Sequence, residues 1–183
     1  MKIGIILGSV RDSRKGELVA DWVRSNAEET GGAEFEVLDL RDFQLPLLTS
    51  AVLPSMAGRN YDSPEVTRWS EAIDACDGYV MITPEYNHGV PGALKNAVDS
   101  LGPEWTGKTI GFVSYGADGG VRAVEQWRQI VANFHMIDVR HQVSLQLFTE
   151  FGEGGLQLQD RRAGEIKALL DALVTLTGRL QAA

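Results

Sequence analysis

An aromatic ring, an amide and an imidazole stand together in Pro84-Glu85-Tyr86-Asn87-His88-Gly89-Val90-Pro91-Gly92. The prolines fix φ at both ends of the stretch. The glycines let the backbone turn sharply or lie against a ligand. Such a surface suits a flat polar heterocycle, with a ring to cover its face and peptide groups to read its edges. A second set is Gly8-Ser9-Val10-Arg11-Asp12-Ser13-Arg14-Lys15-Gly16. Its serines offer hydroxyl donors, and Arg11 and Arg14 offer forked donors suited to phosphate oxygens. A helix beginning here adds free N–H groups and a positive dipole end. A third set is Ser114-Tyr115-Gly116-Ala117-Asp118-Gly119-Gly120, where glycines permit close approach. Each has a plainer reading: a capped helix start with solvated arginines, a structural turn, a connector.

The elements that must position these sets alternate along the chain. Apolar runs at 2–7, 35–40, 78–83, 109–114 and 137–145 read as strands. Between them, apolar residues at helical spacing follow Gly16, Ser63, Pro91 and Gly120, and a last helix carries Ile166, Leu169, Leu170, Leu173 and Leu180. Ser63-Pro64 is a capped helix start, and Gly31-Gly32 a helix stop. Near-continuous apolar strands separated by amphipathic helices predict one α/β domain over 1–183, a parallel sheet covered on both faces. The three sets then follow the carboxyl ends of strands one, three and four. In such sheets ligands bind beyond those ends, where strand order reverses. For the order 2-1-3-4-5 that point lies between strands one and three. One anion cradle beside two backbone-rich walls fits a mononucleotide with a flat ring system. The stretch 44–63 is long for a loop and holds Leu45, Leu47, Leu48 and Leu53, which predicts packing on the site rim or on a second subunit.

Other groups carry less. The P-loop spacing Gly-x-x-x-x-Gly-Lys-Ser/Thr and the dinucleotide fingerprint Gly-x-Gly-x-x-Gly are both missing. Cys76 ends an apolar stripe and reads as a buried structural thiol. His135 and His141 lack metal-ligand spacing, so no metal is expected. No catalytic acid, base or nucleophile declares itself. Lys95 and Asp99 read as a surface pair, Asn96 as a support of the preceding loop. Trp22, Trp69 and Trp127 lie on core stripes, and Trp105 in a turn reads as surface or interface.

The 183 residues are 44% hydrophobic and 23% charged, with a net charge of -8. That balance argues against nucleic-acid binding. No apolar run is long enough to span a bilayer, and Met1-Lys2 leads into a strand instead of a signal sequence. A lone cysteine suits a reducing compartment, so a cytoplasmic location is expected.

Gly8-Ser9-x-Arg11, Leu45-Pro46-Leu47-Leu48, the Pro84-Glu85-Tyr86-Asn87 stretch running into Pro91-Gly92-x-Leu94-Lys95-Asn96-Ala97-x-Asp99, and Gly119-Gly120-x-Arg122-Ala123 together resemble the NAD(P)H-dependent FMN reductase family, with its chromate-, quinone- and azo-reducing members. The resemblance implies a three-layer flavodoxin-like fold holding FMN non-covalently. By position, Ser9, Arg11, Ser13, Arg14, Lys15 and Gly16 would bind the phosphate. Pro84, Glu85, Tyr86, Asn87 and His88 would line the isoalloxazine, and Ser114, Tyr115, Gly116, Gly119 and Gly120 would border its other edge. Many members carry a serine-asparagine pair where this chain has Ser13-Arg14-Lys15-Gly16. The resemblance further implies a homodimer or homotetramer, and a ping-pong reaction in which NADPH or NADH gives hydride to flavin N5 and a small acceptor then takes the electrons. The competing expectations are a flavodoxin-type electron carrier and a flavin-free module of the same fold.

Overall fold

A computed structural model describes residues 1–182. Five strands form one parallel sheet: β1 (Lys2–Leu7), β2 (Glu34–Asp39), β3 (Gly78–Pro84), β4 (Thr109–Gly116) and β5 (Ile137–Gln146), in the order β2-β1-β3-β4-β5. This is the flavodoxin-like order expected from the sequence. The helices are α1 (Gly16–Thr30), α2 (Leu40–Phe43), α3 (Pro64–Asp74), α4 (Gly92–Asp99), α5 (Val121–Ala132) and α6 (Arg161–Gln181). No described helix is long and apolar enough to cross a membrane.

Strand alternation sorts the core into two layers. Ile3, Ile5 and Leu7 of β1, Val80 and Ile82 of β3, and Val113 and Tyr115 of β4 pack with α1 and α6. Ile6, Tyr79, Met81, Ile110 and Phe112 pack on the other face with α3, α4 and α5. Every residue of β3 and β4 is buried, which a central strand covered on both sides requires. Ser63 accepts a hydrogen bond from the Val66 N–H, and Pro64 opens α3 as expected. Cys76 is buried, and burial pushes its thiol up to about 11.

Several expectations need correction. Trp105 is 1% exposed, not at the surface. Its ring meets Trp69 and Tyr79 edge-on, and its Nε1 donates to the Val98 carbonyl. A polar-looking turn hid a core residue because the apolar surface awaiting it comes from distant elements. Trp22 is only half-buried, since α1 turns Val19, Ala20, Val23 and Ala27 inward. Asn96 supports a different loop from the one expected: it donates to the Pro46 carbonyl and accepts from the Leu48 N–H, anchoring 44–63. That loop leaves Leu47, Leu53 and Met56 largely exposed. A small hairpin of β6 (Phe151–Gly152) and β7 (Gly155–Leu156) precedes α6 where no strand was read.

Candidate functional site

The ends of β1 and β3 lie side by side, with Leu7 opposite Ile82. One more bond, from the Gly8 N–H to the Ile82 carbonyl, closes the ladder, and the chain then leaves the sheet. Among the described residues, no protein acceptor takes the amides of Ser9, Val10, Arg11 or Asp12. Ser9 is buried with Oγ 3.0 Å from Tyr86 Oη. Arg11 is exposed, its guanidinium 5.8 Å from the Tyr86 ring centroid. Ser13 holds a left-handed φ of 50°. Lys15 is exposed at the start of α1. Arg14, expected among the phosphate ligands, lines the cavity and has its fork engaged within the protein. Arg14 is 8% exposed, donates to the Ser9 carbonyl at 2.5 Å, and pairs with Glu17 and with both oxygens of Asp39. It fastens the loop from beneath. Nothing in the sequence around Asp39, at the end of β2, pointed to that partnership.

Residues 84–92 form a tight turn. Tyr86 and Gly89 exchange both backbone hydrogen bonds, at 3.1 and 3.0 Å, across Asn87 and His88. Those two have φ of 52° and 66°, the double left-handed geometry of a type I′ turn. Gln126 of α5 grips it, donating to the His88 carbonyl and accepting from the Val90 N–H. Gln126 escaped the sequence reading because an exposed helical glutamine carries no local signal. The Glu85 N–H donates to the Tyr115 carbonyl, while the Glu85 carboxylate accepts from the Arg122 N–H in the first turn of α5. Glu85 therefore ties two of the loops together.

In the third loop Ser114 is fully buried and donates to the Gly119 carbonyl at 2.6 Å. Gly120 has φ 74°, and a Cβ there would lie 2.9 Å from Ser114 Cβ and 3.0 Å from the Tyr115 backbone. Ser114, Gly119 and Gly120 thus shape the loop from within.

Together these segments enclose a cavity of about 310 Å³. Ser9, residues 11–15, Pro84, Glu85, Tyr86, Tyr115 and Gly116 line it, with Leu147, which the sequence reading missed. Asn87, His88, Ser114, Gly16, Gly119 and Gly120 frame the cavity without lining it. Tyr115 was expected along a ring edge with Gly116. It lines the cavity, and strand alternation packs its ring on the α1 side of the sheet. Burial pushes that hydroxyl up to about 12, against the lowering effect of a hydrogen bond with Ser9. A cluster of exposed side-chain donors and free amides at the start of a helix fits an anion such as a phosphomonoester. A separate cavity of about 240 Å³ lies between Val10, Leu47, Ala93 and Asn96, and the 44–63 loop forms part of its wall. No group of side chains that would hold a metal ion occurs among the described residues.

The family model for NADPH-dependent FMN reductase matches residues 1–150. An NAD(P)H-dependent FMN reductase of Nectria sp is 42% identical over 129 residues, covering 68% of this chain and 64% of that protein, just under two thirds of its length. One of Saccharomyces cerevisiae is 37% identical over 147 residues, covering 74% of this chain and 76% of that protein. Among solved structures, the flavoenzyme NAD(P)H:(acceptor) oxidoreductase FerB of Paracoccus denitrificans superposes with a TM-score of 0.77 over 97% of each chain at 19% identity.

Proposed function

Because the chain belongs to the NADPH-dependent FMN reductase family, we propose that it binds FMN in the cavity between its loops and carries electrons from NADPH or NADH to a small acceptor. The observation that carries this reading is the convergence of three loops, following β1, β3 and β4, on one cavity at the carboxyl edge of the sheet. That edge, at the β1/β3 switch point, is where an open α/β sheet takes its ligand.

The donor set fits the cofactor. Ser9, Ser13, Arg11 and Lys15, with the amides that open α1, hold the phosphate, and Arg14 keeps that loop in shape. The 84–92 turn and Gly116 receive the ring system, largely through backbone groups. When bound, FMN supplies the hydride and electron chemistry, and the protein supplies binding, orientation and electrostatics. Glu85 and Gln126 hold the turn rigid, so the ring would be received by a surface fixed in advance. Both substrates meet the cofactor at one open rim, which supports a ping-pong order. Quinones, azo compounds, free flavin and metal oxyanions are the acceptor classes that such a rim admits. The exposed Leu47, Leu53 and Met56 support assembly into a homodimer or homotetramer, and the single buried Cys76 suits the cytoplasm.

The test is the visible spectrum of the FMN-saturated protein before and after anaerobic NADPH. Loss of the flavin band on mixing supports the reductase. Bound flavin that stays oxidised with both nicotinamides means an electron carrier, and failure to bind flavin overturns the reading.

A further inference from the structure

No step of the flavin chemistry uses the separate cavity of about 240 Å³. Val10, Leu45, Leu47 and Ala93 give it an apolar lining, and Arg41 and Gln44 bring polar groups to it. Its walls are held in place. Asn96 donates to the Pro46 carbonyl and accepts from the Leu48 N–H, which fixes the 44–63 side. Asp39 fixes the other side: its Oδ1 accepts from the Arg41 N–H at 3.0 Å and from Arg14 Nη1 at 2.8 Å. The start of α2 and the loop after β1 therefore share one anchor. That loop is also the partition between the two cavities, since Val10 lines this one while Ser9, Arg11 and Asp12 line the other. The Arg41 guanidinium pairs with Asp12 of the partition.

We propose that this cavity takes the adenosine end of NADPH and that Arg41 binds its 2′-phosphate, so that Arg41 sets the preference between NADPH and NADH. The proposal rests on the reductase reading for the identity of the co-substrate. Three observations carry it. An apolar slot with few polar groups suits a flat base. The Arg41–Asp12 pair joins two solvent-exposed ends, with side chains 41% and 100% exposed, and such a pair holds its members weakly. A phosphate dianion, with more charge and several oxygens for a planar fork, can take the guanidinium from Asp12. With NADH in its place, Asp12 is an acceptor for the ribose 2′-hydroxyl. A carboxylate for the hydroxyl and an arginine for the phosphate are the groups that tell the two dinucleotides apart elsewhere. The partition is one loop thick, so a dinucleotide anchored at Arg41 begins one loop away from the flavin cavity. The chain as a whole carries a net charge of -8, so a cation placed locally is what draws a ligand bearing a third phosphate.

The experiment is Arg41→Gln, with Arg41→Lys beside it, titrated by calorimetry with 2′,5′-ADP and with 5′-AMP, which differ by the 2′-phosphate alone. The parent should bind 2′,5′-ADP about tenfold more tightly than 5′-AMP, and added FMN should not displace it. Arg41→Gln should bind the two nucleotides alike. Arg41→Lys keeps the charge and loses the fork, so it should keep part of the preference. Both variants should melt with the parent and bind FMN as it does, because Arg41 is exposed and lines the other cavity. In the FMN-loaded protein, Arg41→Gln should raise KM for NADPH about tenfold relative to KM for NADH. A parent without preference for 2′,5′-ADP, an Arg41→Gln protein that keeps the preference, or displacement of 2′,5′-ADP by FMN would each overturn the proposal without touching the flavin reading. A parent that shows the Arg41-dependent preference but binds no flavin would keep the subsite and remove the flavin reading.

Discussion

Two regions bury polar side chains and treat them in opposite ways. Behind β5, Glu150 is fully buried and Arg162 of α6 nearly so. The Glu150 carboxylate accepts from Arg162 Nε and Nη2 at 2.7 and 2.8 Å and from the Gln146 and Gln159 N–H groups. Burial alone would raise its pKa, but these bonds outweigh burial and hold it low. At the cavity, Ser9 is buried against the Tyr86 hydroxyl, and the amides of residues 9–12 have no protein acceptor among the described residues. Both regions use the same chemistry. One closes its network on itself and is structural; the other leaves donors facing a cavity. Buried polarity alone does not mark a site, whereas unspent donors around a cavity do.

The largest effect should come from the closed region. Arg162→Ala strands a buried carboxylate and should lower unfolding free energy by about 3–5 kcal/mol, measured by denaturant titration. If flavin affinity, measured under conditions where the variant is folded, falls as well, the two regions are not independent and the contrast fails.

Glu104 offers a second closed network. It is fully buried and accepts from Tyr61 and Ser70, each at 2.6 Å, and from the Gly102 N–H at 3.0 Å. Burial would raise its pKa, but the hydrogen bonds from Ser70, Tyr61 and the backbone bring it below the usual carboxylate value. A depressed carboxylate adds stability above its unfolded pKa and loses it as pH falls through the folded one. Glu104→Gln should therefore cost about 1–3 kcal/mol near neutral pH, and the gap to the parent should narrow as the medium turns acid. A gap independent of pH would mean that Glu104 acts by shape and not by charge.

Arg11→Ala tests the open region. Arg11 is exposed, with its guanidinium over the face of Tyr86, so its removal should leave stability nearly unchanged. FMN affinity should fall by about 1–2 kcal/mol, roughly tenfold, with riboflavin unaffected. A loss of stability instead would make Arg11 structural, like Arg14.

The same contrast explains what was legible in the sequence. The elements, the two-layer core and the three loops follow from periodicity and glycine–proline punctuation, which are local signals, whereas the strand order comes from the family resemblance. The division of labour inside the loops is not local. Arg11 and Arg14 are three apart and chemically identical, yet one is exposed and the other is locked to Asp39, 25 residues on, because β2 ends beside the loop. Glu85 lines the cavity and also ties its loop to the first turn of α5, a partnership with Arg122 that no local pattern announces. Gln126, Leu147 and Glu150 carry no pattern of their own and gain roles only through contacts made across the fold.

Backbone conformation gives the smallest and most discriminating test. His88 at the site and His135 after α5 are both left-handed, with φ of 66° and 55°. An L residue is strained there and glycine is not, although glycine costs entropy in the unfolded chain. His88→Gly and His135→Gly should thus each change stability only slightly, gaining up to about 1 kcal/mol. Their effects on binding should differ. At residue 88 glycine loosens the turn that Gln126 grips and gives up the Arg122 contact at 3.3 Å, so FMN and riboflavin should both bind several-fold more weakly. At residue 135 neither should change. If His88→Gly gains stability with no loss of affinity, the strained turn is a feature of the hairpin alone, and rigidity at 84–92 plays no part in holding the ring.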